Sequence, residues 1–87
     1  MSYFLYILRT SKNTLYIGQT NNLPKRLSEH KGKTKKSSKY VRSFDSFELV
    51  YSEKYKSRRE ALRREYQLKQ LTKVEKEKLV DASMHDN

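Results

Sequence analysis

The chain has 87 residues, with 20 Lys and Arg against 10 Asp and Glu, for a formal net charge of +10 at pH 7. That length allows one domain with a thin core, burying about 60–65% of its unfolded surface. Cysteine is absent, which excludes disulfides and thiolate zinc centres, and the cationic excess points to a polyanionic partner bound in a salt-sensitive way.

The longest apolar stretch, Tyr3 to Leu8, is too short to span a bilayer and lacks the flanks of a signal peptide. No basic amphipathic segment exposes a large aromatic face, so membrane adsorption is not expected. A cytoplasmic location is.

In chain order, Tyr3 to Arg9 (YFLYILR) is apolar on both alternating faces, the pattern of a central strand covered on two sides. Ser11-Lys12-Asn13 supplies turn chemistry, and Thr14 to Gln19 (TLYIGQ) completes a β-hairpin. If the turn holds an odd number of residues, Tyr6 and Tyr16 project from one face. Gly18 beside them would leave room for a ligand's backbone to approach. Half-buried packing is the more ordinary role for strand tyrosines.

Residues Asn21 to Lys31 (NNLPKRLSEHK) predict a helix capped by Asn21 or Asn22, with Pro24 in its first turn. Leu23 and Leu27 mark the expected buried face; Asn22, Arg26 and His30 fall on a different one. Arg26 suits a bidentate phosphate clamp, although a solvated arginine is the default in so basic a chain. Residues 32–38 form a polar loop carrying Lys33, Lys35 and Lys36, and residues 39–43 a short helical turn. Phe47 to Ser52 (FELVYS) predicts a third strand with Phe47, Leu49 and Tyr51 alternating.

Ser57-Arg58-Arg59-Glu60 is a capping box opening a helix to about Leu71, and Thr72-Lys73-Val74-Glu75 is a second, opening a helix to about Val80. Residues 1–82 are expected as one α+β domain and residues 83–87 as a frayed tail, where His85 receives no role. On the helix opened by Ser57, Ala61, Leu62 and Leu68 define an apolar arc that contains Glu65. A carboxylate turned toward a core is costly unless paired or metal-bound, and Lys69 one turn on offers the simple pairing. Lys35, Lys36, Lys39 and Arg58, with the neighbouring Arg59, Arg63 and Arg64, are candidate phosphate contacts. No phosphate-cradling glycine loop, HExxH or paired CxxC is present.

Taken in order, these residues resemble the GIY-YIG nuclease superfamily, in particular its small stand-alone bacterial members. Phe4-Leu5-Tyr6 stands for the first triplet and keeps only its tyrosine; Tyr16-Ile17-Gly18 matches the second in full. The family's helical arginine corresponds to Arg26 within Asn22-Leu23-Pro24-Lys25-Arg26-Leu27. Its metal-binding glutamate corresponds to Glu65 within Glu60-Ala61-Leu62-Arg63-Arg64-Glu65. The similarity covers roughly residues 2–80. It implies a three-stranded antiparallel sheet flanked by helices and a single divalent ion, Mg²⁺ or Mn²⁺, on Glu65. It also implies that Tyr6 or Tyr16 positions or deprotonates the attacking water while Arg26 steadies the phosphate. His30 takes a place where some relatives carry tyrosine or histidine, a supporting proton-transfer position. The implied activity is endonucleolytic hydrolysis of nucleic acid, DNA rather than RNA, selected by shape or flexibility. Departures are the missing first glycine, Gln19 where many relatives have lysine, and the lack of a match to the family's late asparagine. These departures keep open the alternative of a non-catalytic, basic nucleic-acid-binding module on the same fold.

Overall fold

A computed structural model describes residues 2–31 and 46–84. The expected basic loop and short helical turn, with Lys33, Lys35, Lys36 and Lys39, lie outside the described residues, as does His85. In chain order the elements are β1 (Tyr3–Thr10), β2 (Leu15–Thr20), α1 (Leu23–Lys31), β3 (Phe47–Tyr55), α2 (Arg58–Lys69) and α3 (Lys73–Met84). The strands form one open antiparallel sheet in the order β2-β1-β3, the α+β arrangement expected from the sequence.

The hairpin closes around Ser11, Lys12 and Asn13. The Thr10 amide donates to the Thr14 carbonyl at 2.9 Å, and the Asn13 amide to the Thr10 carbonyl at 2.9 Å. Asn13 has φ 62°, a left-handed conformation that asparagine tolerates better than most side chains. Its side-chain oxygen accepts from Arg9 at 2.6 Å, and its carbonyl accepts from Lys73 on α3 at 2.5 Å. This odd-numbered loop sets the register Tyr6↔Gly18 and Leu8↔Tyr16, which puts both tyrosines on one face.

β1 is buried on two sides, as its unbroken apolar run requires. Leu5 and Ile7 join Ile17, Leu68 and Val80 beneath α2 and α3, while Tyr6 and Leu8 pack on the opposite face with Tyr16, Leu23, Leu27 and Phe47. Truncating Leu5 or Ile7 to alanine is expected to cost about 2–5 kcal/mol. The simple alternation expected for β3 breaks at a bulge. Ile7 pairs with Tyr51 but Leu8 pairs with Leu49, leaving Val50 as the extra residue. Phe47 therefore serves one core and Tyr51 the other, and Leu49 is left half-exposed.

The second capping box forms in full and the first in its serine half. The Ser57 hydroxyl accepts from the Glu60 amide at 3.3 Å. Thr72 and Glu75 satisfy each other's amides at 3.2 and 2.9 Å. α2 stops at Lys69, short of Leu71, with Gln70 as its C-cap. α3 runs to Met84 instead of fraying after Val80, because once the capped first turn exists each further residue adds a hydrogen bond at little entropic cost. No described helix is long and apolar enough to cross a membrane.

Candidate active site

The central strand delivers Tyr6, which is 1% exposed. Its phenol lies directly over Gly18: a Cβ at that position would sit 2.6 Å from the tyrosine Oη and 2.7 Å from Cζ. The sequence suggested that Gly18 leaves room for a ligand backbone, but that space is filled by Tyr6 itself. Arg26 Nε donates to the Tyr6 hydroxyl at 3.4 Å. The same hydroxyl lies 3.2 Å from His30 Nε2. Since an arginine can only donate, the phenol accepts from Arg26, and the direction of its bond to the imidazole is set by the histidine tautomer.

His30 corrects a second expectation. Assigned to a face away from the leucines, it is the one fully buried residue of α1. Leu23, Leu27 and His30 follow the i, i+4, i+7 spacing of a single helical face, so the imidazole belongs to the buried stripe. Burial pushes its pKa below the ordinary 6.5, and the Arg26 charge lowers it further against a weaker pull from Glu29. The neutral ring can thus accept from Tyr6, while Nδ1 is buried with no hydrogen-bond partner among the described residues. Burial also raises the Tyr6 phenol above 10. The Arg26 hydrogen bond opposes that rise, and Tyr16 and Glu65 add to it.

Tyr16 on β2 stands beside this pair, its ring centroid 6.4 Å from Tyr6 and 6.0 Å from His30, edge-on to the latter. Phe47 closes the imidazole's other side at 5.8 Å. Arg26 keeps about a quarter of its side chain in solvent and reaches Glu29 at 3.5 Å. Burial, the largest single influence, works against its charge, but the hydrogen bond to Tyr6, the charges of Tyr6 and Tyr16 and the bond to Glu29 together raise its pKa above the ordinary value.

Glu65 arrives from α2. Its side chain is only 18% exposed, and Lys69 Nζ approaches it at 3.4 Å. Its charge is felt at the Tyr6 phenol. Both sequence-based readings of this residue thus hold together: it faces inward, and it has a lysine partner one turn on. The two phenols, the guanidinium and the imidazole form one contact cluster, and the Glu65 charge acts on it from α2. Two shallow grooves flank it along β2. Tyr16 lines one of about 360 Å³ with Leu15, Ile17, Lys69 and Lys76. Arg58 lines the other, of about 340 Å³, with Tyr3, Gln19, Thr20 and Asn21. That second groove shares no residue with the tyrosine cluster, and Lys35, Lys36 and Lys39 fall outside the described residues.

A buried polar cluster on the α2 side escaped the sequence reading. Glu53 accepts from the hydroxyls of Tyr51 and Tyr55 and from the Arg64 guanidinium, with Arg64 Nε at 3.0 Å. Burial alone would raise Glu53; hydrogen bonds from Arg64, Tyr51 and Tyr55 reverse this and hold it below 4.5. Both phenols are pushed up to about 12, first by burial and then by the carboxylate. The cluster ties α2 to β3 at the residue preceding Glu65. Its signal was legible as Tyr51-x-Glu53-x-Tyr55, three chemically matched residues on one strand face, read instead as the end of a strand.

Among the described residues no group of three or more His, Asp or Glu side chains converges as a ready-made metal cage.

Such a site, two hairpin tyrosines against a helical arginine and a single inward carboxylate on a three-stranded sheet, defines a small α+β domain of the tyrosine–arginine–glutamate type. The chain belongs to the GIY-YIG family: residues 2–78 match the GIY-YIG catalytic domain. That membership brings nuclease-type function and a nucleic-acid partner at the level of the family. Among its relatives, UPF0213 protein OB0043 of Oceanobacillus iheyensis is 43% identical over 79 residues, spanning 91% of this chain and 90% of that protein. UPF0213 protein YhbQ of Escherichia coli is 42% identical over 78 residues, spanning 90% and 76%. The solution NMR structure of UPF0213 protein BH0048 from Bacillus halodurans superposes with a TM-score of 0.61 at 34% identity, covering 94% of this chain and 85% of that one. The solution NMR structure of EF2693 from E. faecalis gives 0.64 at 27% identity, covering 100% and 90%.

Proposed function

We propose that this domain is a metal-dependent endonuclease that hydrolyses phosphodiester bonds in DNA. The observation that carries this reading is the gathering of Tyr6, Tyr16, Arg26 and His30, with the part-buried Glu65 on α2 near enough for its charge to bear on Tyr6. Hydrolysis of a phosphodiester needs an oriented water, an acceptor for its proton and compensation for charge on the phosphoryl oxygens.

The phenols divide this work by burial. Tyr6 is sealed in and held by Arg26 and His30, so it positions neighbours and does not meet water itself. Tyr16, only part-buried where Tyr6 is sealed, is the phenol that orients the attacking water. His30, hydrogen-bonded to Tyr6 and edge-on to Tyr16, holds the two phenols in place while the water's proton passes to solvent. Arg26 offers its partly exposed guanidinium to a non-bridging phosphate oxygen. Arg58 contacts the backbone of the bound strand, and Lys35, Lys36 and Lys39 are further backbone contacts proposed on sequence grounds.

A single Mg²⁺ or Mn²⁺ fits Glu65. Such ions accept one or two carboxylates and fill their other positions with water and substrate phosphate. Here the carboxylate's present counter-ion is Lys69, an exposed side chain free to swing aside. When bound, the ion would polarise the phosphoryl group and lower the proton affinity of nearby water.

The test incubates the protein with flapped, branched and nicked DNA, and with matching RNA, with and without Mg²⁺. Cutting should require the metal, favour DNA, and fall about 100-fold or more in Glu65→Gln, with binding retained. Cleavage that survives this substitution refutes the assignment. Salt-sensitive binding without any cutting would leave a non-catalytic module on the same fold.

A further inference from the structure

We propose that the outer face of α2 is a platform for unpaired nucleotides, on which Tyr66 stacks a base next to the Glu65 site. This rests on the reading above that the domain acts on nucleic acid, and it specifies the substrate: a strand with unstacked bases beside the phosphate to be cut.

Tyr66 is 69% exposed, more than any other exposed large hydrophobic among the described residues. Its exposure stands out because the other tyrosines on this side of the sheet are accounted for. Tyr51 and Tyr55 pack on the core and spend their hydroxyls on Glu53. No packing role explains Tyr66. On a helix its neighbours are the residues three and four positions away, here Leu62, Arg63, Lys69 and Gln70, all exposed, with Arg59 one turn beyond. The only acids of α2 are Glu60 and Glu65. At about 100° per residue, Glu60 points roughly 120° away from Tyr66. A large, rigid, amphipathic ring thus lies in a stripe of cations, one leucine and one amide, with no carboxylate among those neighbours. A basic surface with an interleaved aromatic is the chemistry that holds single strands, because cations follow the phosphates while every base offers a π-face.

The stripe also joins the site. Lys69, three residues after Tyr66, sets its ammonium 3.4 Å from Glu65 and lines the groove with Tyr16. A strand stacked on Tyr66 is led toward the carboxylate within about one helical turn. In an intact duplex the base faces are hidden in the stack, so the ring can be used only at a flap, gap or frayed end. The face carries no convergent set of donors and acceptors to read base edges, so the preference is for strandedness and not for sequence.

The experiment uses the whole chain in metal-free buffer, so that nothing is cut. The protein contains no tryptophan, so Tyr66→Trp introduces a single reporter. Titration with a short single-stranded oligonucleotide should quench its emission, whereas a blunt duplex should not. In parallel, Tyr66→Ala should weaken single-strand binding roughly 5- to 100-fold and leave duplex binding unchanged, while Tyr66→Phe keeps wild-type affinity. Thermal unfolding of each variant verifies that it is folded. Unaltered single-strand affinity in Tyr66→Ala, or binding without quenching in Tyr66→Trp, overturns the platform and leaves the nuclease reading to the Glu65→Gln test. If the wild type binds no oligonucleotide, both fall together. A concentration-dependent dimer that Tyr66→Ala dissolves would reassign the face to a second copy of the chain and likewise overturn the proposal.

Discussion

Replacing Gly18 by alanine should destabilise the domain, although the local backbone predicts the opposite sign. Gly18 does not use a positive φ. A glycine-to-alanine change at such a position ordinarily stabilises by about 0.4–1 kcal/mol, through the entropy of the unfolded chain. Here the new methyl would meet Tyr6 Oη at 2.6 Å, Cζ at 2.7 Å and Cε1 at 3.2 Å, where ordinary contact begins at 3.4 Å. The ring must retreat by about 0.8 Å, or β2 must bend. Retreat is not free, because Tyr16 and His30 stand 6.4 and 6.2 Å away, centroid to centroid, and His30 holds the hydroxyl. Overpacking of this kind costs about 1–3 kcal/mol, roughly 4–20 °C of Tm in a domain this small. A reacting geometry displaced by nearly 1 Å also loses up to about 100-fold in rate. Thermal unfolding read by circular dichroism gives the sign directly. Repeating the exchange in a Tyr6→Ala background removes the obstruction, and there the alanine should be neutral or stabilising. A Gly18→Ala protein as stable as the wild type, with Tyr6 intact, refutes the claim that the phenol occupies this space.

Two other predictions follow from the buried titrating groups. The folded-state pKa of His30 lies below its unfolded value near 6.5. Between those two values the unfolded chain binds the extra proton, so stability falls as pH drops below about 6.5. Denaturant unfolding at stepped pH should show this slope in the wild type and a shallower one in His30→Gln; equal slopes in the two proteins count against a neutral buried imidazole. Tyr51 and Tyr55 should ionise late, near pH 12. Their share of the stability is therefore complete below pH 10 and is lost as pH rises toward 12. Glu53→Gln should bring both phenols back toward 10 in an ultraviolet titration and cost about 1–3 kcal/mol, and an unmoved titration curve would show that the carboxylate does not govern them.

Local chemistry was legible in the chain itself. The run Tyr3 to Leu8 announced a strand covered on both sides, the Ser11-Lys12-Asn13 turn set the face shared by Tyr6 and Tyr16, and two capping boxes opened α2 and α3. Each rests on contacts only a few residues apart, so spacing is enough. Glu65 was also found this way, because a carboxylate within an apolar arc conflicts with its surroundings on the helix alone.

What only the tertiary structure decided depends on which surfaces meet. The Val50 bulge follows from fitting β3 against a neighbour whose two faces serve different cores, and no periodicity within β3 records it. His30 is buried because the sheet face carrying Tyr6 and Phe47 closes over it, whereas the sequence weighed it as one more polar side chain on a basic helix. The occupied space above Gly18 and the bond network from Arg64 to Glu53 likewise join residues far apart along the chain. Helical and strand periods specify the direction in which a side chain leaves its own element. The partner that awaits it there is fixed only when the elements pack, and in this domain that packing brings phenol, imidazole and guanidinium into contact.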